Sequence, residues 1–515
     1  MPGRQSRHKK AFLIWGVVLF LGTGMACQLT SPRPASWAGT STADVRNTEI
    51  ALTRDAIAGT APFVFTPTAP SNTPVATSTA TITSTPRENA HGPWLVFPDP
   101  EGEGLNAYDI NTHKIHRISL PEPIITTDLT RGLAPDGSKL IIRAGLAENT
   151  DELALYQINL PSFEVSKLTP LLSITVQRKI VHNQGDRALE TLMTVTRSDG
   201  LAWSSDSRYL AFSAALDQES SDLYVADTLN NRIDRVNGLY SQNASPVWSP
   251  GGEWLISQEF EYEHQLETWH SVLVSGLRFP SYDSQNTLYL PPIDSFEEVI
   301  IGWINPHTFL SYSNTESGPR LLRQVSADEV KESIIFENAF QQAAYDPGTG
   351  VTAFSISFSN AIAQGLSGGI YRRELDSPVQ VLQAAGDWTH LIWDTVGRFV
   401  ASGTQGALFF TPQGESILLP GEGNARLAPN GSWVIAWGDG ENSRAGARLF
   451  QSHSSNPLQT LIDQPVESLT WQPDSKGFFI VSEGSLYHFT FPGLKPEEII
   501  TGIPLTTGFV WTWVE

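Results

Sequence analysis

One short unit recurs along this chain and restricts its fold more than any other feature. It is an apolar residue or pair, usually led by Trp, then a turn rich in Pro, Asp, Asn and Gly, then a strongly apolar strand. It reads LAPDGSKLIIR from Leu133, WSSDSRYLAFS from Trp203, WSPGGEWLIS from Trp248 and WINPHTFLSYS from Trp303. It returns as YDPGTGVTAFS from Tyr345, WDTVGRFVAS from Trp393, LAPNGSWVIAW from Leu427 and WQPDSKGFFIVS from Trp471. From Trp203 onward the starts lie 45, 55, 42, 48, 34 and 44 residues apart. Self-similarity at about 40–45 residues is the spacing of four-stranded propeller blades. The 70-residue gap from Leu133 to Trp203 contains an insertion around Leu171–Thr196.

Each position in the unit has a physical role. Pro135, Pro250, Pro347, Pro429 and Pro473 preset φ for a tight turn, and Asp136, Asn430 and Asp474 can hydrogen-bond the turn backbone. Gly137, Gly252, Gly397 and Gly431 tolerate positive φ. The leading Trp203, Trp248, Trp303, Trp393 and Trp471 are expected to fill the wedge between neighbouring blades. A second strand pair follows several units, as in ELALYQINLPSFEVSKLT (152–169), SSDLYVADTLNNRIDRV (220–236) and GLNAYDINTHKIHRISL (104–120). A WSPDG-like turn, an apolar strand and a Leu-Tyr-x-x-Asp strand resemble the TolB-type, WD-repeat-like propeller repeat, most closely over residues 201–236. The resemblance covers roughly 420 residues and implies an all-β fold, a single β-propeller. The units from Trp303 and Trp393 are the weakest.

The ends of the repeat region fit ring closure. WLVFPD at Trp94 is a strand with no preceding partner, and GFVWTWVE at 508–515 is a first-type strand with nothing after it. Trp511 lies 40 residues beyond Trp471, one period on. Pairing the two ends completes a blade and removes two sheet edges. The expectation is about eight four-stranded blades, with seven or nine possible, and an open series of β-sandwiches as the alternative architecture.

Composition bears on where such a domain works. The net charge of −21 repels phosphate backbones, so no nucleic-acid partner is expected. Cys27 is the only cysteine in 515 residues, which excludes intrachain disulfides and Cys-based metal sites. Its position is informative. Residues 1–10 are basic, 11–21 are uninterruptedly apolar, and Gly22-Thr23-Gly24-Met25-Ala26 lead into Cys27. That is the arrangement of a secretory signal, with an apolar run too short to span a bilayer comfortably.

Small residues leading into cysteine resemble the lipobox of bacterial lipoproteins, with Ala26 in place before Cys27 and Gly24 standing where Leu is usual. The resemblance implies lipidation of Cys27. Cleavage without lipid and an uncleaved anchor are the alternatives, and each puts the remaining chain outside the cytoplasm. Residues 28–92 carry no apolar period, and 65–86 are nearly all Thr, Pro, Ser and Ala, the composition of an extended tether. The domain reading is therefore signal peptide 1–27, tether 28–92 and propeller 93–515.

Catalytic signals are sparse. Gly365-Leu366-Ser367-Gly368-Gly369 matches the G-x-S-x-G elbow, with Asp387 and His390 downstream, but it sits inside a repeat as a glycine-rich loop. The segment 259–270 concentrates Glu259, Glu261, Glu263 and Glu267 with His264 and His270, which reads as an exposed extended loop before it reads as a metal site. With Tyr262 and Trp269 it forms a candidate ligand-contact loop: Tyr262, His264, Trp269 and His270. No catalytic residue, metal site or cofactor is assigned. The expected function is a non-enzymatic, membrane-anchored binding or scaffolding protein, and a monomer is expected. Its partner would be an unknown envelope protein, a peptide or a glycan. The alternative is a surface glycosidase or lyase using carboxylates at the channel mouth.

Overall fold

The computed structural model describes residues 92–145, 152–182, 185–217, 219–237, 242–263, 268–280, 287–290, 297–315, 318–329, 331–346, 349–374, 378–393, 398–410, 416–441, 443–503 and 508–512. Cys27, the signal segment and the tether lie outside the described residues. The described strands form nine antiparallel sheets, eight of four strands and one of three. Numbered as blades in chain order, they occupy 94–119 with 510–512 (blade 1), 139–170 (2), 201–237 (3), 242–290 (4), 297–336 (5), 342–384 (6), 388–420 (7), 424–462 (8) and 466–501 (9). The blade number is nine, the upper value expected rather than the favoured eight. Both weak units, from Trp303 and Trp393, head complete four-stranded sheets.

Blade 2 is the three-stranded sheet. Its innermost strand is reduced to an isolated bridge, Leu133↔Leu140, flanked by the bonds Ala134 N→Lys139 O (2.8 Å) and Ile141 N→Gly132 O (2.8 Å). Gly132 is required there, because a Cβ would lie 1.9 Å from the Ile141 carbonyl oxygen.

The ring closes as the sequence predicts. Trp94 pairs with Thr512, Leu95 with Trp511 and Val96 with Val510, so the last strand is the innermost of blade 1. In every blade the strands, A to D from the axis outward, form a meander, with the bridge at Leu133 in the place of strand A in blade 2. The A–B and C–D turns therefore share one face of the ring, and the B–C turns and D–A connections share the other. Burial follows this order. The B strands Trp94–Pro98, Val351–Ile356 and Gly477–Ser482 are buried at every position, whereas the D strands Lys114–Ser119 and Lys331–Phe336 are mostly exposed. Charged D strands suit an outer sheet edge that must not pair with another chain.

The recurring turn works as its residues dictate. Asp136, Asp206, Asn305, Asn430 and Asp474 each accept a bond from the backbone N–H two residues on, at 2.9, 3.1, 2.8, 2.9 and 2.9 Å. Positive φ follows at Gly137 and Gly431 (71° each) and at Ser207 and Ser475 (59° each); Pro347 and Gly397 lie outside the described residues. The two serines also link blades. Ser207 Oγ accepts Asp136 N of the preceding blade at 2.9 Å, and Ser475 Oγ accepts Asn430 N at 3.0 Å.

The leading aromatic residues join blades by hydrogen bonds too. Trp203 Nε1 donates to Gly132 O (2.8 Å), Trp248 Nε1 to Ala202 O (3.1 Å) and Trp471 Nε1 to Arg426 O (3.1 Å), each acceptor in the preceding inner strand. Tyr345 Oη reaches Ile304 O in the same way at 3.3 Å. Among the described residues, Trp303 and Trp393 have buried indole nitrogens without an acceptor. Among the units led by an aromatic residue, the two weakest repeats in sequence are the two for which this bond is not found among the described residues.

The insertion expected around Leu171–Thr196, after blade 2, is helical. It holds helices α1 (Ile174–Val181) and α2 (Asp186–Val195). Ser173 caps α1 by accepting Val176 N at 3.3 Å, and Val176 and Val195 pack on the Leu171, Leu201 and Leu210 core. A third helix, α3 (Phe358–Gln364), forms the B–C connection of blade 6. Both helical insertions thus emerge on the face of the B–C and D–A loops. No helix among the described residues is long and apolar enough to cross a membrane.

Candidate functional site

The inner strands of blades 4 and 5 bound a cavity of about 140 Å³, lined by Arg131, Asp199, Ser245, Val247, Gln258, Glu298, Val299 and Ile300. Ser245 and Val247 come from the A strand of blade 4, and Glu298, Val299 and Ile300 from that of blade 5. Gln258 is on strand B of blade 4, and Asp199 precedes the A strand of blade 3. Ser245 stands at a strand irregularity with φ of 56°, where the pairing shifts between Ala244 and Val247. A bulge of this kind re-aims side chains out of the ladder. Here it brings the Ser245 hydroxyl to Asp199 Oδ2 at 2.6 Å.

The charges in this cavity are held by partners. Arg197 bonds Asp199 with Nε and Nη2, at 3.0 and 3.1 Å, and its guanidinium stacks over Phe260 at 4.5 Å. Burial alone would raise the Asp199 pKa, but Arg197, Ser245 and the charge of Arg131 together bring it below the ordinary carboxylate range. Glu298 is fully buried and pairs with Arg323 at 3.0 Å, while Ser313 Oγ donates to its other oxygen at 3.3 Å. Two further buried pairs have the same design, Arg143 with Asp128 in blade 2 (2.6 Å) and Arg448 with Glu422 in blade 8 (2.7 Å). In each the carboxylate stands before or at the start of an inner strand. Arg131 is exposed. The cavity thus offers hydrogen-bonding groups and one exposed cation, with its carboxylates already compensated.

A second cluster lies where blades 1 and 9 meet, on the opposite face. His488 is buried on the C strand of blade 9 and faces its register partner Glu497, with Nδ1 3.9 Å from Oε2. His113, in the C–D turn of blade 1 at φ 55°, places Nδ1 3.6 Å from Glu497 Oε1 and 3.0 Å from the Tyr108 hydroxyl. Phe479 stacks on the His488 ring at 4.3 Å, and the Gln472 amide contacts His488 Nε2 at 2.7 Å. Burial lowers the His488 pKa to about 4, against Glu497, which raises it; His113 lowers it further. Burial, then Glu497 and Asp109, raise that of Tyr108.

The residues singled out in sequence fall differently. Of the segment 259–270, residues 259–263 and 268–270 belong to two long paired strands, Trp254–Glu263 and Thr268–Arg278. Tyr262 is opposite Trp269 and Glu261 opposite His270 in that ladder, and His270 Nε2 lies 2.6 Å from Glu263 Oε2. His264 and Glu267 lie outside the described residues. Gly365 is the left-handed cap that ends α3, at φ 67°, so Ser367 follows a helix instead of preceding one. Asp387 accepts Phe358 N at 2.7 Å at the start of α3, and His390 Nδ1 contacts Thr389 Oγ1 at 3.0 Å. These contacts do not form a Ser–His–Asp relay. The cavity residues carry no signal in the sequence. Asp199, Ser245 and Glu298 sit in ordinary turn and strand contexts, and only the ring brings three blades together around them.

Comparison with known proteins agrees on fold alone. No protein-family model matches the chain, and no curated protein matches it. Among solved structures, a crystal structure of the eukaryotic initiation factor has a TM-score of 0.51 at 11% identity, covering 82% of this chain and 98% of its own. An oligogalacturonate lyase in complex with manganese has a TM-score of 0.38 at 13% identity, covering 80% and 99%. TolB from Acinetobacter baumannii has 0.29 at 10%, covering 56% and 62%. With the closed ring of nine sheets, the likeness to the first identifies the domain as a β-propeller, and at such identities nothing finer.

Proposed function

We propose that this chain is a membrane-anchored, extracytoplasmic binding protein that uses the B–C/D–A face of its propeller to hold a peptide segment or glycan of a partner. The observation that carries the reading is the cavity at the inner strands of blades 4 and 5, lined by Arg131 and Gln258 as available polar groups. Its volume of about 140 Å³ equals roughly four or five waters, enough for one side chain or the edge of one sugar ring. Glycoside hydrolysis by general acid catalysis needs a carboxyl whose pKa is raised so that it keeps its proton. Asp199 is shifted the other way, so it is not suited to be that acid.

The N-terminal signal and Cys27 support anchoring through a lipid, with residues 28–92 as the tether. The propeller begins on the A–B/C–D face, where Asn111 Nδ2 holds the Gly92 carbonyl at 2.8 Å. The helical insertions and the cavity belong to the other face. The test is a glycan array and a peptide library probed with the full chain and with Arg131→Ala/Gln258→Ala. Retention of a defined ligand, weakened at least about tenfold by the double substitution, is the expected result. Turnover of a retained glycan, or binding indifferent to both substitutions, refutes the reading.

A further inference from the structure

We propose that His113, His488 and Glu497 form a binding site for a divalent transition-metal ion of the zinc type, which clasps the junction of blades 1 and 9. One ligand atom from each residue lies within 4.8 Å of the other two. Two imidazoles and a carboxylate are a donor set suited to Zn²⁺, with a fourth position left for water. Ligand atoms about 2.0–2.2 Å from a tetrahedral metal are about 3.3 Å apart. The separations of 3.6 and 3.9 Å to the Glu497 oxygens therefore need to close by a few tenths of an ångström. The third separation, between the histidines, is at most 4.8 Å. His113 and Glu497 are half exposed, at 51% and 55%, and their side chains have the freedom to make that adjustment.

The fixed part of the site is His488. It is 2% exposed, stacked on Phe479, and touched through Nε2 by the Gln472 amide. The atom in contact is the amide nitrogen, Gln472 Nε2; metal binding through His488 Nδ1 requires the amide to turn about so that its oxygen accepts the His488 Nε2 proton and the Nδ1 lone pair faces Glu497. This is the outer-shell partner that metal-binding histidines commonly have. Glu497 sits directly across the ladder from His488 on the same sheet. His113 comes from the other sheet, from the turn that also contacts the start of the propeller at Gly92 through Asn111. An ion here links the blade that holds the first and last strands of the propeller to its neighbour, where the ring is joined by three paired residues.

The experiment is titration of the untagged full chain, purified in detergent after chelator treatment, with zinc chloride by calorimetry and with cobalt(II) by visible absorption. One equivalent should bind with a dissociation constant at or below the order of 1 µM. The cobalt spectrum should be that of a four-coordinate nitrogen–oxygen site, and zinc should raise the thermal midpoint. His113→Ala and Glu497→Gln should each weaken binding at least roughly a hundredfold and abolish the midpoint shift. Gln472→Leu should weaken binding by about 10–100-fold. His270→Ala, at the unrelated His270–Glu263 pair, should bind as the unmodified protein does. Absence of a stoichiometric ion at micromolar zinc overturns the assignment. So does binding that survives both His113→Ala and Glu497→Gln.

Discussion

Replacing each leading tryptophan by phenylalanine separates the packing role of these residues from their hydrogen bond. In Trp203→Phe, Trp248→Phe and Trp471→Phe the lost groups include the donor to Gly132, Ala202 or Arg426 of the preceding blade. The Gly132 carbonyl keeps the Ile141 amide at 2.8 Å, so the loss is about 1 kcal/mol, the worth of one net bond. In Trp303→Phe and Trp393→Phe the indole N–H removed is buried and has no acceptor among the described residues. Removing it relieves a desolvation cost of about 1 kcal/mol or more. The loss of ring volume is common to all five, so the two groups should differ by about 2 kcal/mol. An unfolding entropy of ~2.1 cal/mol/K per residue over about 420 residues gives ~0.9 kcal/mol/K. The expected separation is then about 2–3 °C in melting midpoint by scanning calorimetry, with the first group lower. Equal shifts in all five variants would refute the claim that this bond joins the blades.

Asp222 is fully buried, pairs with Arg235 at 3.0 Å, and has its pKa raised from 3.8 to about 6, by burial first, against Arg235, and then by Asp217. The folded state therefore binds more protons than the unfolded chain between these values. Its contribution is complete below pH 3.8 and is lost as pH rises through about 6, in total ~3 kcal/mol. Asp222→Asn should remove that slope from the denaturation midpoint between pH 4 and 7, and an unchanged slope contradicts it. Arg448→Ala leaves Glu422 buried without its cation and should cost about 3–5 kcal/mol in chemical denaturation, whereas Lys476→Ala, at an exposed pair with Asp474, should cost less than about 1. Cys27→Ala should move the protein from the membrane fraction to the soluble fraction on cell fractionation; retention in the membrane contradicts lipid anchoring.

The repeat made the architecture legible because its information is local. Asp136, Asn430 and Asp474 set their turns with bonds spanning two residues, and strand periodicity needs no distant partner. Ring closure was readable for a related reason: an unmatched strand at Trp94 and another at Trp511 leave sheet edges that pairing removes. The number of blades was less legible, since blade 2 keeps only a bridge at Leu133 where the others have a strand. The helices at 174–195 were hidden in an insertion whose apolar residues are fixed by packing on the Leu171 and Leu201 core.

What the sequence determined by itself was the repeating unit and the closed β-propeller built from it. Tertiary structure alone decided the sites. Asp199, Ser245 and Glu298 come from three blades, and His113 and His488 stand 375 residues apart. A ring brings first and last blades together, so proximity at its seam and around its axis depends on how many units close it, and no spacing along the chain encodes that.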